Sequence, residues 1–407
     1  MGEWTRRRFL EASALGMMGA AMSETVRAAD AKPVRIDRID LFPVQYPTVM
    51  RFKFFEGPTS GGGRAAVLIK ITADDGTVGW GESVPVPRWS YETLEGAVST
   101  LEGYLKPILI GMNPFDLEGI HGVMNKEIAN SFSTGAPITK AGVDIALHDL
   151  IGKAAGLNIA ELWGRSLPDE LVLSWTLNPK TLDDLEPLIA KGKERGFENF
   201  NVKVAPDPAF DLEMCRIVKR LVPDGFLWGD ANGGYDLATA LDVAPKLADA
   251  GMAVFEQPIG ANRLTGYQEL KRQGALPIIL DEGVVSPTDL LEFMKLGCCD
   301  GVAMKPARCG GLVSAAQQIE ILEDAGLLFL GSGLTDPDVS LAASLILYGA
   351  YGLKFPAALN GPQFLGASVI AEPFVPVGGK VRIPKGPGLG IEVDQAKVDA
   401  LVAQSKA

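Results

Sequence analysis

The chain has 407 residues, 47% of them hydrophobic and 22% charged, with a formal net charge of −12. That length builds two or three globular units with a sizeable core and needs no disulfide or metal staple. The acidic balance excludes a nucleic-acid binder, which presents a basic field, and makes a polyanionic membrane surface a poor partner.

Residues 5–10 read Thr-Arg-Arg-Arg-Phe-Leu, followed by a mildly apolar run from Ala12 to Met22 and then Val26-Arg27-Ala28-Ala29. Paired arginines, a short apolar run and small residues placed for cleavage predict a twin-arginine export signal over residues 1–30. The run is too short to span a bilayer. The expected product is therefore a soluble periplasmic or exported protein with no stable membrane association.

Beyond the signal, Val34 to Pro43 alternates, Ala65 to Ala73 is β-rich, Asp74-Asp75-Gly76 signals a hairpin turn, and Val78 to Ser83 resumes the strand. Helical spacing then takes over from Thr93, with Leu94, Val98, Leu101 and Leu105 on one stripe, and again from Ala141 to Ala155. Strands followed by helices predict an α+β domain over 31–164. From 165 to 364 the texture changes to strict alternation. Strand-like runs sit at Leu171–Leu177, Phe200–Val204, Phe226–Asp230, Ala253–Glu256, Pro277–Asp281, Gly301–Lys305 and Leu327–Gly331. Helical stretches such as Leu237–Ala250 and Ala315–Ala325 separate them.

Five of these strands end on an ionisable residue: Lys203, Asp230, Glu256, Asp281 and Lys305, spaced 27, 26, 25 and 24 positions apart. One strand and one helix per repeat of about 25 residues is the signature of a (β/α) barrel of the TIM type. An open doubly wound sheet fits less well, because it carries a glycine-rich phosphate turn after its first strand.

Barrel strand ends converge on one face, so Asp230, Glu256 and Asp281 are expected to share a small volume. Three anions so placed repel one another, and a hard divalent cation resolves the repulsion. All-oxygen ligation favours Mg²⁺, with Mn²⁺ next. Zinc is disfavoured, because the chain has only His121 and His148 and four scattered cysteines, Cys215, Cys298, Cys299 and Cys309. Lys203 and Lys305 flank the carboxylates in strand order and are expected to face each other across the metal. One amine there abstracts a proton beside a substrate carboxylate and one ammonium returns it, while the metal neutralises the developing enediolate.

The barrel resembles the enolase superfamily, closest to its muconate-cycloisomerase-like subgroup within the mandelate racemase and muconate lactonizing enzymes. Gly79-Trp80-Gly81-Glu82 and the stretch from Val143 to Leu150, Val-Asp-Ile-Ala-Leu-His-Asp-Leu, resemble the family's capping domain. Asp230-Ala231-Asn232-Gly233, Phe255-Glu256-Gln257-Pro258, Asp281-Glu282 and Lys305-Pro306 followed by Gly310-Gly311 resemble its barrel motifs. Gly386-Pro387-Gly388-Leu389-Gly390 resembles its closing segment.

The resemblance implies a modified (β/α)7β barrel, with residues from about 365 to 407 packing back on the α+β capping domain. It implies metal ligation by Asp230, Glu256 and Asp281 and acid/base roles for Lys203 and Lys305, the established chemistry of that superfamily. It also implies that Asn201, Asn232 and Glu282 orient substrate or ligands and that Asp336 contacts substrate. His148 is expected to be structural.

Two departures stand out. The family's Lys-x-Lys reads Asn201-Val202-Lys203, and the Asp-x-Asp of dipeptide epimerases reads Ala358-Leu359-Asn360. The second argues against an ammonium-binding dipeptide epimerase. Specificity in the resembled family comes from capping loops, here Met50 to Gly63, with Phe52, Phe54 and Phe55, and Ser131 to Ile138. The expected activity is an Mg²⁺-dependent racemisation, epimerisation or cycloisomerisation of a small carboxylate. A dehydratase is the alternative enzyme, and an exported binding protein without chemistry the alternative class. No coiled-coil heptad is present, which leaves surface contacts as the route to any homo-oligomer.

Overall fold

The structure is a computed structural model that describes residues 34–56 and 63–406. The twin-arginine segment and the run from Ser60 to Gly62 lie outside the described residues. Strands β1 (Ile36–Pro47), β2 (Gly63–Ala73) and β3 (Val78–Ser83) form an antiparallel sheet in that order. Gly76, at φ 88°, turns the hairpin, and Asp75 Oδ1 accepts the Thr77 N–H at 2.8 Å.

Helix Pro137–Ala155 covers β3. The approach is so close that a Cβ on Gly79 would lie 2.2 Å from Ala146 O, and one on Gly81 would lie 1.9 Å from Gly142 O. The Gly-x-Gly of β3 is therefore a packing requirement. Val67, Ile69 and Ile71 bury into one cluster with Leu101, Leu105, Ile120 and Leu147.

Seven parallel strands follow: β5 (Trp175–Leu177), β6 (Phe200–Lys203), β7 (Leu227–Asp230), β8 (Val254–Glu256), β9 (Ile278–Leu280), β10 (Gly301–Met304) and β11 (Leu328–Gly331). Each hydrogen-bonds to its sequence neighbour. An eighth stave closes the barrel. Ala358 N–H donates to Gly331 O at 2.9 Å, and Ser174 N–H donates to Ala357 O at 2.9 Å.

The single strand expected over Leu171–Leu177 is instead split. β4 (Glu170–Val172) pairs antiparallel with β12 (Lys380–Arg382) outside the barrel, and the wall begins beyond Val172. Between strands, Asp207, Asp236 and Ser286 accept N–H groups at the starts of their helices. Such caps contribute about 1 kcal/mol each and fix where each strand-to-helix loop ends.

The barrel axis is filled by Trp228, Val254, Ile279, Ala303, Leu330 and Ala358, a buried cluster of its own. Strand side chains alternate with a period of two, so the residue two positions on faces the same interior, one layer nearer the mouth. Those residues are Asp230, Glu256, Asp281, Lys305, Ser332 and Asn360. An apolar plug thus carries a polar layer directly above it.

Three buried polar contacts dock the cap on the barrel. Asp144 Oδ2 accepts from Leu312 N–H at 2.5 Å, Glu82 Oε2 from Ser340 N–H at 3.1 Å, and Leu334 O from Arg64 Nε at 2.9 Å. The C-terminal helix Gln395–Ser405 returns to β1, where Gln45 N–H donates to Ser405 Oγ at 2.7 Å.

Candidate active site

Lys203, Asp230 and Glu256 are the last residues of β6, β7 and β8, while Asp281 and Lys305 directly follow β9 and β10. One oxygen from each of Asp230, Glu256 and Asp281 lies within 4.8 Å of the others, and all three residues are buried. Lys203 Nζ pairs with Asp230 Oδ2. Lys305 Nζ pairs with Asp281 Oδ2 and stands 3.5 Å from Glu256 Oε1. β6 and β10 are four staves apart in a wall of eight, so the two amines approach the carboxylates from opposite sides.

The charges are strongly coupled. Burial, then the neighbouring Asp230, pushes Glu256 well above the usual carboxylate range. Burial also acts against the charged form of Asp230, but Lys203, Lys305 and Lys53 outweigh it and hold that carboxyl low. On Lys203, burial opposes the ammonium, while Asp230 and Glu256 more than offset it and raise its pKa. Among the described residues the triad also has an orphan: Glu256 Oε1 is buried with no hydrogen-bond donor. Three convergent carboxylates, an unsatisfied oxygen and an all-oxygen donor set fit a hard divalent cation.

The other predicted residues divide. Asn232, at φ 46° in the left-handed region that asparagine tolerates, donates its N–H to Asp230 Oδ1 at 2.8 Å. Its Nδ2 donates to Glu282 Oε1 at 3.1 Å, which places both beside the triad. Burial, with Asp281 and Asp230, raises Glu282 to about 8. Asn201 lines the cavity one layer below Lys203. Asp336 stands behind this layer. It is buried outside the cavity lining, where its carboxylate accepts from Leu334 N–H at 3.1 Å and Ser344 Oγ at 3.3 Å. There it braces the loop that carries Leu334.

A cavity lies above the polar layer. Phe52, Phe54 and Phe55 roof it as the aromatic loop predicts, but Ser131 to Ile138 takes no part in the lining. The second cap contribution comes from Val86 and Trp89. Phe52 and Phe54 lie 5.8 and 6.0 Å from Lys203 Nζ, and Trp89 lies 5.1 Å from Lys305 Nζ, within cation–π range.

Sequence reasoning missed three cations. Arg308 Nη1 donates to Asp281 Oδ1 and to Ala303 O, bracing that carboxylate. Arg64 spends its guanidinium on the carbonyls of Leu334, Ala65, Pro85 and Val84, tying the cap to the loop that lines the cavity. Lys53 sits in the aromatic roof, where burial and then the like charge of Lys203 push it down to about 8. Its only signal in the sequence is a cation set between Phe52 and Phe54.

Comparison with known proteins agrees with this geometry. Residues 47–164 match the N-terminal domain of mandelate racemase / muconate lactonizing enzymes, and residues 184–397 match the enolase C-terminal domain-like family. The chain belongs to the mandelate racemase / muconate lactonizing enzyme family. It is 31% identical to muconate cycloisomerase 1 of Rhodococcus opacus over 86% of this chain and 94% of that protein. It is 26% identical to N-succinyl-L-Arg/Lys racemase of Bacillus cereus over 90% of this chain and 98% of that protein. A solved muconate lactonizing enzyme from Pseudomonas fluorescens, complexed with muconolactone, superimposes with a TM-score of 0.83 at 26% identity. That match covers 91% of this chain and all of the other. This member of the enolase superfamily is thus an enzyme of isomerase lineage.

Proposed function

We propose that this enzyme moves a proton on and off the carbon beside a small substrate's carboxylate, a racemisation or epimerisation, with Mg²⁺ as its metal. The observation that carries the reading is the opposition of Lys203 and Lys305 across Asp230, Glu256 and Asp281. A divalent cation held by those carboxylates would neutralise the charge that grows on the substrate carboxylate as its α-proton leaves. One lysine, as the amine, takes the proton from one face. The other, as the ammonium, supplies a proton to the opposite face, so the configuration inverts. The aromatic rings of Phe52, Phe54 and Trp89 cover the two amines, which take up solvent deuterons between turnovers. A cycloisomerisation is the second reading, favoured by the 31% identity to a muconate cycloisomerase. It uses the same groups but needs one proton transfer.

The test is ¹H NMR in D₂O with Mg²⁺ and pooled N-acyl amino acids and hydroxy acids. Loss of an α-proton signal together with formation of the opposite configuration is expected. Exchange that yields a cyclised or ring-opened product would favour the second reading, and no exchange in any pool would count against both.

A further inference from the structure

The two lysines are held in different ways. Beyond Lys203, Asp207 caps the helix Pro208–Leu221 from its own loop. Beyond Lys305, the helix Leu312–Ala325 starts at Gly311, which has no side chain to cap it. Its first N–H, that of Leu312, donates instead to Asp144 Oδ2 at 2.5 Å, and Asp144 belongs to the cap helix Pro137–Ala155.

The turn between Lys305 and Leu312 is buried throughout and closed on itself. Lys305 O accepts from Arg308 N–H at 3.0 Å and from Cys309 Sγ at 3.2 Å, and Pro306 O accepts from Gly311 N–H at 3.0 Å. The turn ends on Gly310 and Gly311, at φ 86° and 113°. Two such glycines would make a loose joint between turn and helix, and Asp144 spans it. The approach is close: a Cβ on Gly311 would lie 2.2 Å from Asp144 Oδ2.

Asp144 is itself fixed. His121 Nε2 stands 2.7 Å from its Oδ1, and His148 Nδ1 stands 2.8 Å from its backbone O and 3.4 Å from its Oδ2. These are both of the histidines in the chain. Burial opposes a charge on Asp144, but His148 and His121 outweigh it, so an anion faces the positive end of the helix. Among the described residues no hydrogen bond from the cap reaches Val204 to Asp207, the turn beyond Lys203.

We propose that Asp144 is a positioning residue for Lys305 alone: by holding Leu312 it fixes the turn that aims the Lys305 amine, and the two histidines hold Asp144. This rests on the proton-transfer reading and deepens it, because the seating of the cap then governs one face of the reacting carbon and not the other.

The experiment takes both enantiomers of the N-acyl amino acid or hydroxy acid that the native protein exchanges, in D₂O at saturating Mg²⁺. Lys305→Ala marks the enantiomer that Lys305 serves. In Asp144→Ala, exchange of that enantiomer should slow at least about tenfold while the other stays within about threefold of native. Asp144→Asn, which keeps an acceptor for Leu312, should recover most of the loss. His121→Ala, at a side chain 16% exposed, should show a smaller loss on the same enantiomer, and it carries the test if Asp144→Ala does not fold. Both enantiomers slowed alike, or neither, would overturn the role, because general damage to the fold has no preferred face.

Amide hydrogen exchange reads the same tie without activity. In Asp144→Ala, or in His121→Ala in its place, residues 305–312 should lose about tenfold in protection and residues 200–205 none. Unchanged protection of 305–312 would overturn the tie. Lost protection in a protein whose native form exchanges no substrate would support the tie and count against proton transfer.

Discussion

The barrel mouth and the cap that roofs it meet over one cavity but are built by different rules. On the barrel side, the three carboxylates and Lys305 each lie two positions beyond a plug residue, Lys203 lies two beyond Asn201, and the strand repeat sets their places. On the cap side, Lys53 and Phe54 lie on a single helical turn, Lys53–Phe55, and Phe52, Val86 and Trp89 come from the connections between strands and helices. A regular scaffold holds the chemistry, and irregular chain shapes the space above it.

Breaking the barrel side has the largest expected effect. In Glu256→Gln the triad loses the carboxyl whose ionisation burial and Asp230 oppose, which removes that penalty from the metal-free protein and weakens cation binding. Thermal unfolding should show a higher metal-free Tm and no further rise on adding Mg²⁺. The native protein should gain several degrees at saturating Mg²⁺, since ligand at 100 times its Kd adds about 2.7 kcal/mol. A native Tm indifferent to Mg²⁺ would contradict the metal site.

Breaking the cap side should cost less. Trp89→Ala opens the roof beside Lys305 and leaves the triad and both lysines in place. Exchange should slow by about 10- to 100-fold with the Mg²⁺ shift in Tm retained. An unchanged rate would mean the roof is only cover.

The seam between the two regions gives the smallest effect, and its sign follows from two buried groups. Burial raises Glu82 to about 8. Its folded pKa exceeds the unfolded value near 4.5, so its penalty is absent below pH 4.5 and grows as pH rises towards 8. On His148, burial disfavours the imidazolium, but the contact with Asp144 outweighs it and raises the pKa above 6.5. That stabilisation is present below pH 6.5 and is also lost as pH rises. Asp144 itself is held well below its ordinary value, since His148 and His121 outweigh its burial, and it contributes evenly across this range. Stability should therefore fall from pH 5 to pH 9, by about 5 °C in Tm, with a shallower slope in Glu82→Gln. A Tm that rose with pH would contradict the assignment.

How far each region could be read in the sequence follows from the same contrast. The spacing of Lys203, Asp230, Glu256, Asp281 and Lys305 repeats with the fold, so period alone brought them to one face. Asn232 and Glu282 stood next to these ligands and came with them. Asp336 lay in a loop, and nothing local said that its carboxylate turns inward to Leu334 and Ser344. Arg64 and Lys53 reach the site through tertiary contacts from another domain, which leave no mark on local pattern. The polarity of Asn360 was visible, but its place in the wall depends on barrel closure by residues 357–358, a stave too short to read as a strand.

The central claim is that Lys203 and Lys305 serve opposite faces of one carbon. Exchange of the two enantiomers of a substrate, measured separately in Lys203→Ala and Lys305→Ala, tests it most directly. Each variant should lose racemisation by about 10²- to 10⁴-fold yet retain α-proton exchange with one enantiomer, the two variants retaining opposite ones. Both variants exchanging the same enantiomer, or either exchanging both at native rates, would contradict the account.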